Sequence, residues 1–412
     1  MMNNILNSQF IKKVNDVTSN SWIQGIQKSI TLILSFIIIG SLITVISLIN
    51  NIKANLIPDL GYMSTFTFGM VGLFVAFLIP YNILQQKKND KKMLASFTSL
   101  ALYLMLIKPK FDGSGNHVTF ELSRFGSAGL FLSIIAGIVV TAIILFTSRY
   151  SFFKKDTLMP EFIVNLFDSL IPITFIIFIG WLGLTAKNID PFKIVTSLFS
   201  PLSIIGQSYI GFIVIGFVYS LFYSFGISTW TLSPIILPIM LSGIAENERL
   251  AAHGLKAVNI TTQEVFYTGF IAAGGIGFTI TLAIMMLFLS KSQQLKAVGR
   301  ATFPASILNI NEPLVYGAPI AFNPLLMIPM WLNGILIPAV AGAAMRLNIV
   351  PIPDKVFWIW YLPFPVSTYI TTGIKGVLLF VILFILSWTI YYPFFKYYDA
   401  QLLTNELENR KN

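Results

Sequence analysis

A single carboxylate, Glu312, stands in one of the most apolar parts of the chain and is the first candidate for chemistry. It is the only charge in the run 307–320, which also holds two asparagines, two prolines and Gly317. An ionised side chain at membrane depth costs roughly 2.5–3.5 kcal/mol even on lenient insertion scales, so it normally faces a cavity or a solute. The prolines and the glycine interrupt any continuous helix, and open backbone at such depth is tolerated only inside protein or beside water. We therefore interpret this segment as one wall of a polar binding site inside a membrane protein.

Two other interpretations of this segment stay open. Glu312 could be a carboxylate at a helix end that reaches water, or it could hydrogen-bond a broken helix for purely structural reasons. Asn311, next to it, could cap a turn instead of binding a ligand.

The side chains that most metal sites and nucleophilic enzymes use are scarce. Cysteine is absent, which excludes disulfides, thiolate metal sites and a cysteine nucleophile in this polypeptide. The two histidines cannot build a three-histidine zinc site. We expect His117 in a hairpin turn and His253 in a charged loop at 246–254, and no GxxxxGK[ST] phosphate loop is present. The sequence therefore predicts no metal and no cofactor.

Hydropathy identifies the elements that must position Glu312. Hydrophobic residues form 55% of the chain, charged residues 11%, and the mean hydropathy is +0.78. Because about 20 apolar residues cross a bilayer, we predict about ten membrane spans, some of them short or interrupted by proline. They correspond to residues 29–50, 63–84, 93–107, 128–148, 162–186, 208–227, 229–244, 265–290, 325–345 and 376–395. The segment 187–207 is predicted to be an amphipathic connector in the membrane interface.

The net charge of +10 fits membrane topology. Lysine and arginine clusters follow alternate hydrophobic stretches, as the positive-inside rule requires, so both termini are predicted to be cytoplasmic. A nucleic-acid partner is not expected, because no soluble segment offers an aromatic stacking platform or a groove-reading motif.

Four local sequences resemble a known family. They are FIIIGS at 36–41, SKSQQLK at 290–296, NINEPLVYGAPIAFNPLLMIP at 309–329 and YYPFFK at 391–396. With them the chain, from Phe10 to Asp399, resembles the membrane (IIC) component of the bacterial phosphoenolpyruvate-dependent sugar phosphotransferase system. The most similar branch is the lactose/cellobiose/diacetylchitobiose family.

The resemblance implies a fold and a mechanism. The fold is an all-α integral membrane protein of about ten transmembrane helices with two re-entrant hairpins, in which early helices form a homodimer interface and later ones bind the sugar. The sugar is occluded and then phosphorylated by a separate IIB protein that carries a phosphocysteine and works with IIA. Glu312 is implied to hydrogen-bond the hydroxyl that becomes phosphorylated and to take its proton, with Asn311 on a further hydroxyl.

A second matching motif departs from the family pattern. The family typically has Trp-x-x-Gly-Ile-His-Gly where this chain has Tyr223, Gly226, Ser228 and Thr229 at the first, fourth, sixth and seventh positions. Tyr223 still offers an aromatic face to a sugar, whereas Ser228 cannot exchange a proton near neutral pH as imidazole does. The family's Gly-Gly-Ser-Gly and Phe-Phe-Asp are also changed, to the residues at 274–277 and 265–267.

A tryptophan pair in the segment 357–363 completes the candidate site. The family's second hairpin places a tryptophan near the sugar, which by the resemblance is Trp360 here, and an interfacial membrane anchor is the alternative for it. Trp358 is expected to be such an anchor. The candidate substrate-binding residues are therefore Glu312, Asn311, Ser228, Tyr223, Trp360 and Gly226, with Glu312 also the catalytic candidate.

These observations predict a sugar permease in the bacterial cytoplasmic membrane for a disaccharide or short oligosaccharide. The predicted division is a cytoplasmic amphipathic N-terminus at 1–28, a dimer-interface domain at 29–186, the connector at 187–207, a sugar-binding domain at 208–400 and a cytoplasmic tail at 401–412. Two alternatives stay open: a degenerate homologue that senses or passes sugar without phosphorylation, and a secondary transporter coupled to ions through Glu312.

Overall fold

The computed structural model describes residues 20–47, 58, 60–151, 160–185, 189–227, 229–317, 320–321 and 323–409. This part of the chain is nearly all helical, which confirms the predicted all-α class. Its only strands are β1 (Lys110–Phe111) and β2 (Val118–Thr119). They pair antiparallel, with Lys110 opposite Thr119, and form the hairpin predicted around His117.

The chain divides into two compact units. The first comprises Met1–Gly40 and Pro58–Pro201, and the second comprises Ser41–Ile57 and Leu202–Asn412. The helices that lie wholly or mainly in the first unit are α1 (Ser21–Ser47), α2 (Gly61–Thr65), α3 (Val71–Gln86), α4 (Lys92–Leu106), α5 (Leu130–Thr147), α6 (Glu161–Thr185) and α7 (Pro191–Gln207).

The core of the first unit lies between α3, α4 and α5, where the side chains of Ala76, Leu102 and Val140 are buried. The Ser99 hydroxyl on α4 donates to the Ala76 carbonyl of α3 over 2.7 Å. Such a bond satisfies a hydroxyl that has no water available in an apolar interior.

The second unit carries the predicted binding half. Its helices are α8 (Tyr209–Ser224), α9 (Ser233–Ala252), α10 (Ile280–Phe288), α11 (Gln293–Ile307), α12 (Glu312–Gly317), α13 (Pro324–Arg346) and α14 (Val366–Asn409), with a π-turn at Glu264–Gly269 and a short 3-10 helix at Thr229–Leu232. Gly373 breaks α14 near its start, with φ of 67°.

All ten hydrophobic stretches contain helix, but fewer meet the full length of a membrane span. Within the described ranges, five segments are long and apolar enough to cross a membrane, and a sixth exists if α7 and α8, bent by 81°, count together. The five are Tyr62–Gln86, Ser127–Thr147, Leu166–Thr185, Pro324–Arg346 and Val366–Glu408. The stretch 93–107 gives a 15-residue helix, and the stretch 265–290 is broken at residues 270–279.

Side-chain caps define where the helices of the second unit begin. The Ser208 hydroxyl accepts from the Gly211 amide over 2.9 Å and starts α8 at the bend. Asn323 caps α13 by accepting from the Leu325 amide over 3.1 Å, with Pro324 at the first helical position. Serine and asparagine are preferred as caps because their side chains accept from the free N–H groups of the first turn, and proline suits the first helical position because it has no N–H that needs a partner.

The motif at 290–296 is a helix start held by α14. Asp399 of α14 accepts from the amides of Lys291 (2.8 Å) and Ser292 (2.9 Å). Glu406, two turns later, accepts from the Gln293 amide over 3.0 Å and from the Ser292 hydroxyl over 2.6 Å. Carboxylates at a helix N-terminus are favourable, because its amides lack partners within the helix.

The charged segment 246–254 differs from its prediction as a loop. The structure continues α9 as far as Ala252, and Glu246 pairs with Arg249 one turn later, with 2.7 Å between carboxylate and guanidinium. Spacing of three residues places the two charges on one helical face, which favours the helix.

Candidate functional site

A cavity of about 300 Å³ in the second unit collects most of the candidate residues. Its wall combines four aromatic side chains with several polar ones. Apart from Tyr223, at the end of α8, the lining residues come from short helical or irregular segments of the chain. The lining residues are Tyr223, Thr229, Tyr267, Ala272, Gly275, Ile276, Asn309, Ile310, Asn311, Glu312, Trp358 and Trp360.

Tyr223 reaches the cavity from the last turn of α8. The residue is 4% exposed. Gly226 follows with φ of 74°, a conformation that glycine adopts without strain, and it turns the chain away from the helix. Gly226 itself is not among the described residues that line the cavity, and Ser228 lies outside the described residues. Thr229, at the position of the family's last glycine, does line it.

Glu312 begins α12 and lines the cavity with an exposed side chain. Its position at the opening of a short helix follows from Pro313, which fits the first turn of a helix but would break the interior of one. The arrangement leaves the carboxylate accessible to a solute in the cavity.

Asn311 is a clamp between segments of the cavity wall. Its side chain is buried, and its amide nitrogen donates to the Ile276 carbonyl over 2.9 Å and to the Thr279 hydroxyl over 3.0 Å. Both donor hydrogens of that nitrogen are therefore used inside the protein. Gly275 lies against the same amide, with φ of 102° and no room for a Cβ atom.

Asn309 connects three segments and was missed by the sequence analysis. Its backbone is left-handed, with φ of 62°, just after the end of α11. Its side-chain nitrogen donates to the carbonyls of Trp360 (2.7 Å) and Leu362 (3.0 Å), and its oxygen accepts from the Gly274 amide over 3.0 Å. Asparagine after a helix end is a known turn signal, which could have singled it out.

The aromatic wall is formed by Tyr267, Trp358 and Trp360 together with Tyr223. Tyr267 meets Trp358 edge to face, with 5.0 Å between ring centroids and 89° between ring planes. Trp358 is only 1% exposed, so its prediction as an interfacial anchor was wrong. Tyr267 occupies the position of the family's aspartate, so an aromatic phenol stands here in place of a carboxylate.

The site can therefore offer aromatic faces, one accessible carboxylate and neutral hydrogen-bonding groups to the same small molecule. Aromatic faces pack against C–H surfaces, and a carboxylate or amide orients hydroxyl groups. This combination suits an uncharged, hydroxyl-rich solute.

Comparison with known proteins agrees with this chemistry. Residues 27–334 match the family "Phosphotransferase system, EIIC". The cellobiose-specific EIIC component of Geobacillus stearothermophilus is 31% identical over 93% of this chain and 91% of that protein. The lichenan permease IIC component of Bacillus subtilis (strain 168) is 28% identical over 98% and 95% of the two chains.

A solved structure gives the same assignment. The crystal structure of the transporter ChbC, the IIC component from the N,N'-diacetylchitobiose-specific phosphotransferase system, superposes with a TM-score of 0.86. The two sequences are 26% identical, and the match covers 97% of this chain and 99% of the ChbC chain. With this family match over most of its length, the chain belongs to the EIIC family of the phosphotransferase system.

Proposed function

We propose that this EIIC protein binds a disaccharide or short oligosaccharide in the cavity, occludes it, carries it across the membrane and presents it to a phosphorylated IIB protein. The observation that carries the proposal is the composition of the cavity wall: four aromatic residues, Tyr223, Tyr267, Trp358 and Trp360, together with the carboxylate of Glu312. The relatives named for cellobiose and diacetylchitobiose support a disaccharide as the substrate class.

Glu312 has the chemical role in this proposal. Its carboxylate accepts a hydrogen bond from the sugar hydroxyl that will react, which aligns that oxygen with the phosphoryl group. As transfer proceeds, the S–P bond of the IIB phosphocysteine breaks, an O–P bond to the sugar forms, and the hydroxyl proton moves to Glu312. Asn311 contributes by holding the wall rigid, since its amide hydrogens are committed to the protein.

The phosphoryl donor is a separate protein in this proposal. Two relatives that match over most of their length are named as EIIC and IIC components alone, and none of the 412 residues is a cysteine that could carry the phosphoryl group. Both facts support a IIB protein, with IIA upstream of it, that docks from the cytoplasm.

The remaining features of the proposal concern assembly. The predicted dimer-interface domain at residues 29–186 forms a homodimer in the lipid bilayer, residues 187–207 connect it to the sugar-binding part at 208–400, and both termini are cytoplasmic. The lysine and arginine clusters after alternate hydrophobic stretches support this orientation.

Binding to purified protein tests the site. Titration calorimetry against cellobiose, lactose and N,N'-diacetylchitobiose should give at least one hit. Glu312→Gln should weaken its binding by about tenfold or more, because a neutral amide oxygen accepts a hydrogen bond roughly half as strong as one to a carboxylate. Glu246→Gln is the control, because its carboxylate lies in the exposed Arg249 pair. Equal affinity in wild type and Glu312→Gln would refute the assignment of Glu312.

Uptake into vesicles tests the coupling. The sugar should accumulate as its phosphate ester only when a cognate IIB and its upstream phosphoryl donors are present. One observation favours a second candidate, a permease without phosphorylation: serine stands at position 228 in place of the family's histidine. Uptake of free sugar that depends neither on IIB nor on an ion gradient would establish that candidate.

A further inference from the structure

Two carboxylates outside the cavity hold consecutive backbone amides of one segment of its wall. Glu248, on the last turns of α9, accepts from the Val356 N–H over 3.1 Å. Glu264, at the start of the π-turn, accepts from the Phe357 N–H, also over 3.1 Å. Neither glutamate is among the described residues that line the cavity.

The held segment, residues 356–362, has no helix or strand of its own. It carries Trp358 and Trp360, two of the four aromatic residues of the cavity wall. A segment without regular structure must find partners for its buried N–H groups outside itself. The two glutamates supply them at Val356 and Phe357, and Asn309 holds the carbonyls of Trp360 and Leu362 at the other end.

The π-turn and the segment are joined a second time. The Thr268 hydroxyl donates to the Glu264 carbonyl over 2.9 Å and lies 3.4 Å from the Phe357 carbonyl. One residue earlier, Tyr267 packs edge to face on Trp358. The π-turn therefore contacts both the backbone of segment 356–362 and the ring of Trp358, and so fixes the position of both.

Glu264 is an unusual residue for a purely structural bond. It is 1% exposed, forms no ion pair within the described ranges, and its second carboxylate oxygen makes no hydrogen bond there. An ionised carboxylate buried without a cation is so costly that the group takes up a proton instead. Burial raises the pKa of Glu264 well above its usual value, so near neutral pH the side chain accepts the Phe357 N–H as an uncharged carboxylic acid, a role that a glutamine of the same length can take over.

We propose that Glu248 and Glu264 are positioning residues for sugar binding, which fix the segment 356–362 so that Trp358 and Trp360 face the sugar. This inference rests on the proposed function. The two residues act through the segment, whereas Glu312 acts on the sugar itself.

Four variants test the inference in the full-length protein. Glu264→Gln keeps the acceptor oxygen at the same reach, whereas Glu264→Asp keeps the carboxyl group but withdraws it by one methylene, and Glu264→Ala removes it. Affinity for the best-bound sugar of the three-sugar panel should fall by about tenfold or more in the Asp and Ala variants and change by less than about threefold in the Gln variant. Glu246→Ala, on the exposed face of α9, is the matched control and should bind like wild type.

A second readout needs no sugar. Since the chain contains no cysteine, Tyr361→Cys places a unique thiol on the segment, where Tyr361 is 41% exposed and packs against Trp360. Its rate of labelling by a small thiol reagent should rise by about fivefold or more when Glu264→Asp is added and stay near the parent rate with Glu264→Gln, because local opening exposes the site.

The outcomes separate the two proposals. If no sugar of the panel binds to wild type, the proposed function fails, while the labelling rates still test the positioning role. If Glu264→Asp binds sugar and labels like the parent protein, the positioning role is overturned. Should Glu264→Ala not fold, the Asp and Gln variants decide, and loss of affinity in Gln equal to that in Asp would also overturn the role of the acceptor.

Discussion

Replacing Asn309 by alanine should both destabilise the second unit and weaken sugar binding. The side chain makes three hydrogen bonds, to the Gly274 N–H and to the carbonyls of Trp360 and Leu362. A typical bond contributes about 1 kcal/mol net, and a buried partner left unsatisfied costs more. We therefore expect Asn309→Ala to lower the free energy of unfolding by about 3 kcal/mol, as three such bonds imply.

The backbone of Asn309 requires a separate control. Alanine adopts a φ of 62° less favourably than asparagine, and this difference alone costs on the order of 1 kcal/mol. Asn348 has a similar φ of 56° on the exposed surface, and among the described residues its side chain makes no hydrogen bond. Asn348→Ala therefore measures the backbone cost alone, and Asn309→Gly removes the side chain without that cost.

The assay is the unfolding free energy of the full-length protein in detergent, followed by calorimetric titration with the best-bound sugar. If binding requires segment 360–362 in place, a loss of about 3 kcal/mol corresponds to a fall in affinity of up to about a hundredfold. Equal effects of Asn309→Ala and Asn348→Ala on unfolding would refute the reasoning, because they would show that the three bonds contribute nothing measurable.

Three further predictions use other parts of the same unit. Gly275→Ala should reduce sugar affinity by about tenfold or more in calorimetry, because φ is 102° and a Cβ would overlap the Asn311 amide. Burial raises the pKa of Glu248 from 4.5 to about 7, so ionisation of this carboxyl group should lower the free energy of unfolding as the pH rises from about 4.5 to 7. Glu248→Gln should remove this loss. Its unfolding temperature should therefore exceed that of wild type near pH 8 and equal it near pH 4.5. Asn247→Ala should lower the unfolding temperature more than Glu246→Ala, because the buried side-chain amide of Asn247 forms hydrogen bonds with backbone groups of Val258, Asn259 and Pro353.

Hydropathy and local motifs were sufficient for the helical class and for the part of the chain that holds the cavity. Apolar stretches of membrane length give helices because no other structure satisfies the backbone in lipid. The motif at 309–329 led to Glu312, and the structure brings it together with Tyr223, Asn311 and Trp360 in one cavity wall.

The sequence could not show the direction in which a side chain points when its segment has no regular period. Trp358 and Trp360 are two residues apart in an irregular segment, so no helical or strand pattern tells a lipid-facing ring from one that faces a cavity. Asn311 met the same difficulty, because the acceptors of its amide belong to a segment more than thirty residues earlier in the chain. No feature of the sequence indicated the role of Glu264, because its partner, the Phe357 N–H, lies 93 residues later in the chain.

The cavity wall thus needs two kinds of polar residue, those that hold the backbone of the wall and those that act on the sugar. The amino-acid type alone does not distinguish one kind from the other. A sugar site built from broken helices in an apolar interior leaves backbone groups that only protein can satisfy. Asn309, Asn311 and Glu264 meet that need, whereas Glu312 keeps its carboxylate accessible in the cavity. Loss of binding on alanine substitution is therefore expected for both kinds. A variant that keeps the hydrogen-bond acceptor, such as glutamine for glutamate, separates a residue that holds the wall from one whose charge acts on the sugar.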